Sequence, residues 1–149
     1  MIYVARCDAN NGNLLGKWIS SPCIKYYAKP NIDSADLKNG SGMVIKRDKT
    51  LINYDIKVEL QNTSKEILDV LEKRNDFLML IYVGANEYNF FAPGQISGGT
   101  NYNSERVGFT FSTTKNDGAI TVQLPDEVVL DKPVIIPAGE QMIKLPKIV

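Results

Sequence analysis

The side chains that most often carry catalysis are scarce in this sequence of 149 residues. It contains no histidine and only two cysteines, Cys7 and Cys23. The lack of histidine excludes Ser–His and Cys–His nucleophile pairs and every zinc site that uses an imidazole ligand. Two thiols cannot form a structural zinc site alone. The N-terminal residues show no basic segment followed by an apolar core, so we expect no secretion signal and both thiols reduced.

Carboxylates are the remaining candidates for chemistry, since the chain has 17 Asp and Glu residues. Such groups could act as general acid and base or hold magnesium. However, Asp55 and Glu59 are predicted on the wet face of a strand, and Asp69 and Glu72 on the wet side of a helix. Nothing pairs them in a predicted pocket. We therefore expect no catalytic, cofactor-binding or metal-binding residues and no enzymatic activity.

A polar segment near the N-terminus has the composition of a calcium loop but the wrong spacing. Asp8, Asn10 and Asn13 could offer oxygen ligands, but the glycine is displaced by one position, and Ile19 stands where a glutamate should close the loop. Asn11-Gly12 suits a type I′ turn, in which both residues adopt positive φ. We therefore favour a β-hairpin between strands at 2–7 and 14–19.

Aromatic residues suggest two kinds of binding surface. The segment Lys25-Tyr26-Tyr27-Ala28-Lys29 interleaves cations with aromatics, as single-strand nucleic-acid binders do. Basic and acidic residues both number 17, however, so no net charge attracts nucleic acid or an anionic membrane. An ordinary edge strand is the favoured interpretation. Trp18 and the tyrosines could form a sugar-stacking platform, although buried aromatics explain most of them equally well.

The charge is uneven along the chain. Residues 1–74 carry 12 basic and 9 acidic groups, and residues 75–149 carry 5 and 8. If the halves fold onto opposite faces, copies could stack head to tail with complementary potentials. Statistical scatter is the simpler explanation.

The clearest strand signal lies at 51–60, where apolar and polar residues alternate with period two. This pattern predicts a strand with one dry and one wet face. Met43 to Lys46 is predicted to pair with it across a turn at Asp48-Lys49. The apolar run Phe77 to Val83 is apolar on both faces, which predicts a central strand.

A single helix is predicted near 63–74. Thr63 and Glu66 have the spacing of a capping box, and apolar residues follow at helical spacing. Asn75 is a candidate for the left-handed exit residue.

Two long segments and the C-terminus lack regular periodicity. Pro30 to Gly42 and Ala92 to Ser104 are rich in glycine and asparagine and are predicted to be surface loops, which at this length tend to be functional. The glycines of the second segment do not join a strand to a helix, so a phosphate site is not expected there (Gly94, Gly98, Gly99). From Pro125 onward, four prolines favour extended chain that closes its own sheet or adds a strand to another subunit.

These elements predict a mainly β fold of the α+β class. The expected architecture is an antiparallel β-sandwich or partly open barrel with a single helix packed on it. Residues 1–124 would form one β-rich domain, and 125–149 an extended C-terminal segment. No stretch approaches the roughly 18 uncharged apolar residues of a membrane span.

The order of segments across 52–124 is informative. The strand Tyr54-Asp55-Ile56-Lys57-Val58 precedes the capped helix and the strand Leu78-Met79-Leu80-Ile81-Tyr82-Val83. The aromatic segment Tyr88 to Phe91 is then followed, after a loop, by Ser104-Glu105-Arg106-Val107-Gly108-Phe109-Thr110-Phe111. This order resembles small virion proteins of phages and prophages of Bacteroidetes bacteria, including ring or tail proteins of crAss-like phages.

The resemblance implies a tail-tube-like fold and a structural role in a bacteriophage virion. Such a protein forms an oligomeric ring in the neck or tail around the DNA channel and is assembled in the host cytoplasm. The implied partners are copies of itself, neighbouring virion proteins (portal, other ring or tail proteins) and passing DNA without sequence recognition, with no membrane. We expect the segments 30–42 and 92–104 and the tail from 125 to carry contacts between subunits or rings.

Two other functions stay open. The first alternative is a monomeric β-sandwich binding module for glycan or protein. A small carboxylate-dependent enzyme is a weaker third.

Overall fold

A computed structural model describes residues 1–102, 105–128 and 133–146, with only the backbone described at 99, 101 and 102. Ten strands and one helix form within these ranges. They are β1 (Ile2–Arg6), β2 (Ile19–Ser21), β3 (Cys23–Lys38), β4 (Val44–Gln61), α1 (Lys65–Glu72), β5 (Leu78–Val83), β6 (Tyr88–Tyr102), β7 (Arg106–Thr113), β8 (Ile120–Val122), β9 (Val134–Ile136) and β10 (Met142–Lys144).

Eight strands form one antiparallel sheet in the order β2-β1-β5-β6-β7-β4-β3, with β10 added beside β6. A smaller sheet pairs β8 with β9. The two ends of the large sheet, β2 and β3, are joined in the chain by Pro22 alone. Tyr26 of β3 also stacks on Tyr82 of β5, with ring centroids 3.6 Å apart. The sheet is therefore strongly curved, although no pairing of β2 with β3 closes it into a barrel within the described residues.

This architecture confirms the predicted mainly β, α+β fold with a single helix. The two halves of the sequence meet where β1 pairs with β5 and where β4 pairs with β7. Head-to-tail stacking of oppositely charged halves stays a prediction.

The central strand β5 is buried on both faces. Leu78 and Leu80 lie on the inner face of the curved sheet, in one core with Ile67 of the helix. Met79 and Ile81 lie on the outer face, in a second core with β8, β9 and the C-terminal residues. We call the first of these cores the inner core and the second the outer core. The prediction of a central strand from its apolar run is confirmed.

The outer face of β3, β4 and β7 has no such cover. Ile56, Val58 and Leu60 of β4 are buried on the inner face, which confirms the predicted alternation in this part of the strand. Lys57 is exposed between them and Glu59 is half-buried. These outward side chains remain accessible because the C-terminal segment packs on β5 and β6 instead.

The helix is shorter than the predicted range 63–74, and its cap differs. Ser64 is the N-cap, and its hydroxyl accepts from the backbone N–H of Ile67 at 3.4 Å. The capping role predicted for Thr63 is wrong, since its Oγ1 is buried without a hydrogen-bond partner. The helix ends at Glu72 with Lys73 at φ −84° as C-cap. Among the described non-glycine residues only Asn62 has positive φ, so the predicted left-handed exit at Asn75 is also wrong.

The segment 30–42 is mostly strand, which corrects the predicted loop. β3 continues to Lys38, and β4 runs unbroken from Val44, so the predicted turn at Asp48-Lys49 is wrong as well. The turn lies at 39–43, because Asn39 Oδ1 accepts from the backbone N–H of Ser41 and of Met43 at 3.1 and 2.9 Å. The side chains of this hairpin are mainly solvent-exposed. It therefore lacks the one-sided hydrophobic pattern that marks a strand over a core.

The predicted loop 92–104 is also strand as far as Tyr102, in β6; residues 103 and 104 lie outside the described residues. Two of its glycines have structural roles. A Cβ on Gly94 would lie 2.2 Å from the carbonyl oxygen of Ser112 in β7, so only glycine permits this approach of the strands. Gly98 has φ +70°, and the pairing of β6 with β7 is irregular between Ser97 and Asn101.

The C-terminal segment 125–149 packs on its own chain wherever it is described. β9 pairs with β8, and β10 pairs with β6 at 89–91. Ile136 and Leu145 are buried in the outer core. Of the two alternatives for this segment, the described part therefore completes its own domain, and these apolar residues are not available to a neighbour. Residues 129–132 and 147–149 lie outside the described residues.

No helix in the described ranges is long and apolar enough to cross a bilayer.

Candidate interaction surfaces

A two-stranded arm, residues 31–52, extends beyond the body of the large sheet. β3 and β4 pair with each other from Cys23–Leu60 out to Lys38–Val44. β4 pairs with β7 only from Asp55 to Gln61. Beyond that point the hairpin has no further partner strand in the described residues. Eight extended residues per strand give the arm a length on the order of 25 Å.

The arm concentrates exposed apolar side chains. Six of the eleven large hydrophobic residues exposed in the described part of the chain belong to it, with fractional exposures up to 66% at Met43. An isolated two-stranded hairpin is marginally stable in water, and clustered exposed apolar residues mark interaction surfaces. The arm therefore has the properties of a docking element. The six are Ile32, Leu37, Met43, Val44, Ile45 and Ile52.

Several charges on the arm are paired within it. Arg47 Nε lies 2.8 Å from Asp36 Oδ1 on the opposite strand, and Lys46 Nζ lies 3.3 Å from Asp48 Oδ1. Such exposed pairs contribute about 0–1 kcal/mol each. The arm thus presents its apolar side chains together with charged ones, which include Asp33, Lys38 and Lys49.

The second surface is the polar outer face of β3, β4 and β7. A shallow groove of about 680 Å³ lies there, and Tyr27, Lys57 and Thr110 contribute to its lining. These three are neighbours across adjacent strands. Tyr27 is 61% exposed. The groove thus offers one aromatic ring among hydrogen-bonding side chains.

At one end of this polar face, Glu59 forms ion pairs with side chains of both neighbouring strands. Its carboxylate lies 3.7 Å from Lys25 Nζ and 3.3 Å from Arg106 Nη1. Gly108 stands opposite Glu59 on β7. At the other end, Asp55 accepts hydrogen bonds from both neighbouring strands.

Asp55 is the hub of a hydrogen-bonded row that runs from β7 to the arm. Ser112 Oγ donates to Asp55 Oδ1 at 2.5 Å, and Asn31 Nδ2 donates to Oδ2 at 2.8 Å. Ser112 also bonds Ser97 on β6 at 3.0 Å. The bonds from Ser112, then from Asn31, hold the pKa of Asp55 below its ordinary value. Its role is thus that of an ionised, structural carboxylate.

The four carboxylates considered for chemistry do not converge. Asp55 and Glu59 lie on β4, whereas Asp69 and Glu72 are exposed on α1. Within the described residues no group of three or more His, Cys, Asp or Glu side chains is placed to hold a metal ion.

The cation–aromatic segment at 25–29 is divided between two faces. Tyr26 points inward, where Asn89 Nδ2 donates to its hydroxyl at 3.2 Å and burial raises its pKa to about 12. Of the two tyrosines in this segment, only Tyr27 is exposed on the outer face of the sheet. Trp18 is half-buried: it packs edge-on against Phe90 and donates from Nε1 to the carbonyl of Gln123 at 3.0 Å. This packing favours a structural role for Trp18 over a sugar platform.

The candidate calcium segment is a turn. Asp8 Oδ1 accepts from the backbone N–H of Asn10 at 2.8 Å, which directs this carboxylate to its own chain. Gly12 has φ +73° but Asn11 does not have positive φ, so the predicted type I′ turn is wrong. β1 pairs with β2, and Cys7 bridges Leu14, so the predicted antiparallel return exists. Its second strand lies at Ile19–Ser21, however, and not at 14–19.

Both cysteines are free thiols. Burial, with a smaller effect from Asp8, raises the pKa of Cys7 to about 12. Burial also raises the pKa of Cys23. Neither thiol is activated as a nucleophile.

Comparison with protein-family models and with curated proteins finds no match for this chain. The resemblance to virion proteins therefore stands on the segments between residues 52 and 124 alone.

Proposed function

We propose that this chain is a structural protein of a bacteriophage virion that assembles with copies of itself into a ring in the neck or tail. The observation that carries the proposal is the arm of residues 31–52. Its exposed apolar side chains and unpaired strand edges need a partner to be covered. A protein with such a docking element acts by binding a partner.

A second copy of the chain is the partner that fits best. The outer edge of β3, from Cys23 to Lys38, pairs with no strand other than β4 in the described residues. The chain thus carries both an apolar arm and a long open edge to which a strand can be added. One such contact, repeated by rotation, closes a ring of identical subunits.

The virion assignment comes from the resemblance at residues 52–124. In that setting the ring surrounds the DNA channel and contacts the portal or other ring and tail proteins. DNA would pass through it without sequence recognition, in keeping with 17 basic and 17 acidic residues. The protein would reside in the virion after assembly in the host cytoplasm.

Replacement of one apolar residue of the arm tests the proposal. Leu37 and Leu15 are 55% and 57% exposed, but only Leu37 lies on the arm. We expect Leu37→Ser to weaken self-association at least tenfold in sedimentation velocity, because it removes an apolar contact from each interface. Leu15→Ser is the matched control and should associate as the unaltered chain does.

Both variants should keep the far-ultraviolet circular dichroism and melting temperature of the parent within a few degrees, since both sites are exposed. Equal association of the two variants would count against the arm as the assembly surface. So would an unaltered chain that sediments as single copies at every concentration.

The polar face favours a second candidate function, a monomeric glycan-binding module. Tyr27 could stack on a sugar ring while Lys57 and Thr110 bond its hydroxyls. On this alternative, a glycan array should retain the chain and Tyr27→Ala should abolish retention, with Tyr88→Ala as a control away from the groove. Retention that is insensitive to Tyr27 would reject it.

A further inference from the structure

The root of the arm is tied to the C-terminal segment by a buried polar contact. Gln141 and Thr113 are 1% and 4% exposed, which is unusual for an amide and a hydroxyl side chain. Buried polar groups of this kind are costly unless each is hydrogen-bonded. Their partners here are backbone groups of β4 where the arm begins.

The contact lies at the point where β7 stops supporting β4. The last pair between these strands is Asp55 with Ser112. Beyond it, the backbone N–H of Tyr54 donates to Thr113 Oγ1 at 2.9 Å, and Gln141 Nε2 donates to the carbonyl of Ile52 at 2.9 Å. Thr113 Oγ1 in turn donates to Gln141 Oε1. Two side chains thus substitute for the missing strand.

Gln141 is itself anchored to the body. Its backbone carbonyl accepts from the N–H of Ala92 at 2.9 Å, and the following strand β10 pairs with Phe91, Phe90 and Asn89 of β6. Gln141 therefore connects a central strand on one side with the arm on the other.

We infer that Thr113 and Gln141 form a clamp that fixes the direction in which the arm leaves the body. The C-terminal segment thereby acts as a positioning element for the arm. That this pose is the one used in assembly rests on the proposed function; the clamp itself does not. A cooperative buried network holds one geometry, whereas an unsupported two-stranded root would bend.

Distances between spin labels on the arm tip and the body test the clamp. Labels at Ser41→Cys and Asp69→Cys, in a Cys23→Ser background, report the arm against α1; both sites are exposed, and Cys7 is buried with its thiol protonated. The full chain is diluted until sedimentation shows only monomers. If dilution does not dissociate it, the measurement is made on a chain that also carries Leu37→Ser. Neighbouring subunits then cannot hold the arm, so the outcome is independent of whether a ring forms.

We expect a narrow distance distribution in the parent, and one at least twice as wide in Thr113→Val and in Gln141→Leu. Thr113→Ser keeps the hydroxyl and should restore the narrow distribution. Thr114→Val, which removes the neighbouring bond from Thr114 Oγ1 to the carbonyl of Pro93, should leave it narrow.

Hydrogen exchange gives a second readout on the same proteins. The amide of Tyr54 should exchange at least tenfold faster in Thr113→Val, while amides of β1 and β5 keep their rates. The clamp would be overturned if Thr113→Val left both the width of the spin-label distance distribution and the exchange rate of the Tyr54 amide unchanged. A global rise in exchange across β1 and β5 would also overturn it, because the pair would then support the whole fold and not the arm.

Discussion

At the scale of single residues, the polar chemistry of this chain is structural. Asp55 accepts hydrogen bonds from Ser112 and Asn31, and Gln141 and Thr113 satisfy backbone groups of β4. Each of these side chains joins one strand to another. These polar groups hold the arm and its root in place. In another fold the same side chains could suggest a reactive site.

Asp55 makes stability depend on pH in a defined direction. Its pKa is lowered on folding, so its contribution is complete above the unfolded value of about 3.9 and is lost as pH falls through the folded pKa. We expect Asp55→Asn to lower the free energy of unfolding at pH 7 by about 1 kcal/mol. The loss of stability below about pH 4 should also be smaller in this variant.

Urea denaturation between pH 7 and pH 2.5 measures both effects. Asp69→Asn, at an exposed position of α1, is the control and should follow the parent. If Asp55→Asn shows the parent's full acid dependence, the hydrogen bonds to Asp55 are not significant in solution.

The sequence could indicate only part of this residue-scale picture. Alternation predicted that Asp55 and Glu59 face outward, and they do. It could not predict the partners of Asp55, because Ser112 lies 57 residues away. The inward position of Tyr26 and the partial burial of Trp18 likewise depend on the curvature of the sheet, which no local pattern encodes.

At the scale of elements, the C-terminal strands are part of the domain. Ile136 is fully buried in the outer core, whereas its neighbour Ile135 is 61% exposed. We expect Ile136→Ala to lower the free energy of unfolding by about 2–5 kcal/mol, since it leaves a cavity. Ile135→Ala should change it by less than about 0.5 kcal/mol.

Chemical denaturation of the two variants makes this comparison within one strand. Equal effects at the two positions would mean that β9 does not pack against the outer core in solution.

Elements with a regular periodicity over a core were predictable, whereas the projecting arm and the second half of β6 were not. The inward face of β4 and the run in β5 gave the periodicities of a half-buried and a fully buried strand. The arm carries the same backbone structure with solvent on most sides, so its residues resemble those of a loop. The capping-box spacing of Thr63 and Glu66 predicted a cap one residue before the N-cap Ser64.

At the scale of the whole molecule, a curved sheet supports one projecting arm. The inner core and helix stabilise the sheet from one side, and β8, β9 and the C-terminal residues cover β5 and β6 from the other. Val128, Ile136 and Leu145 of the apolar tail are buried within the chain, whereas Ile135 is 61% exposed. The arm, with six exposed apolar residues, is therefore the stronger reason to expect assembly.

The mass of the particle in solution tests this account most directly. Native mass spectrometry of the unaltered chain, over a range of micromolar concentrations, should show one dominant multiple of the 16.6 kDa subunit. A single multiple is expected because a ring closes at a fixed copy number. A species of 16.6 kDa alone at every concentration would contradict the account, and an open-ended ladder of multiples would contradict the ring.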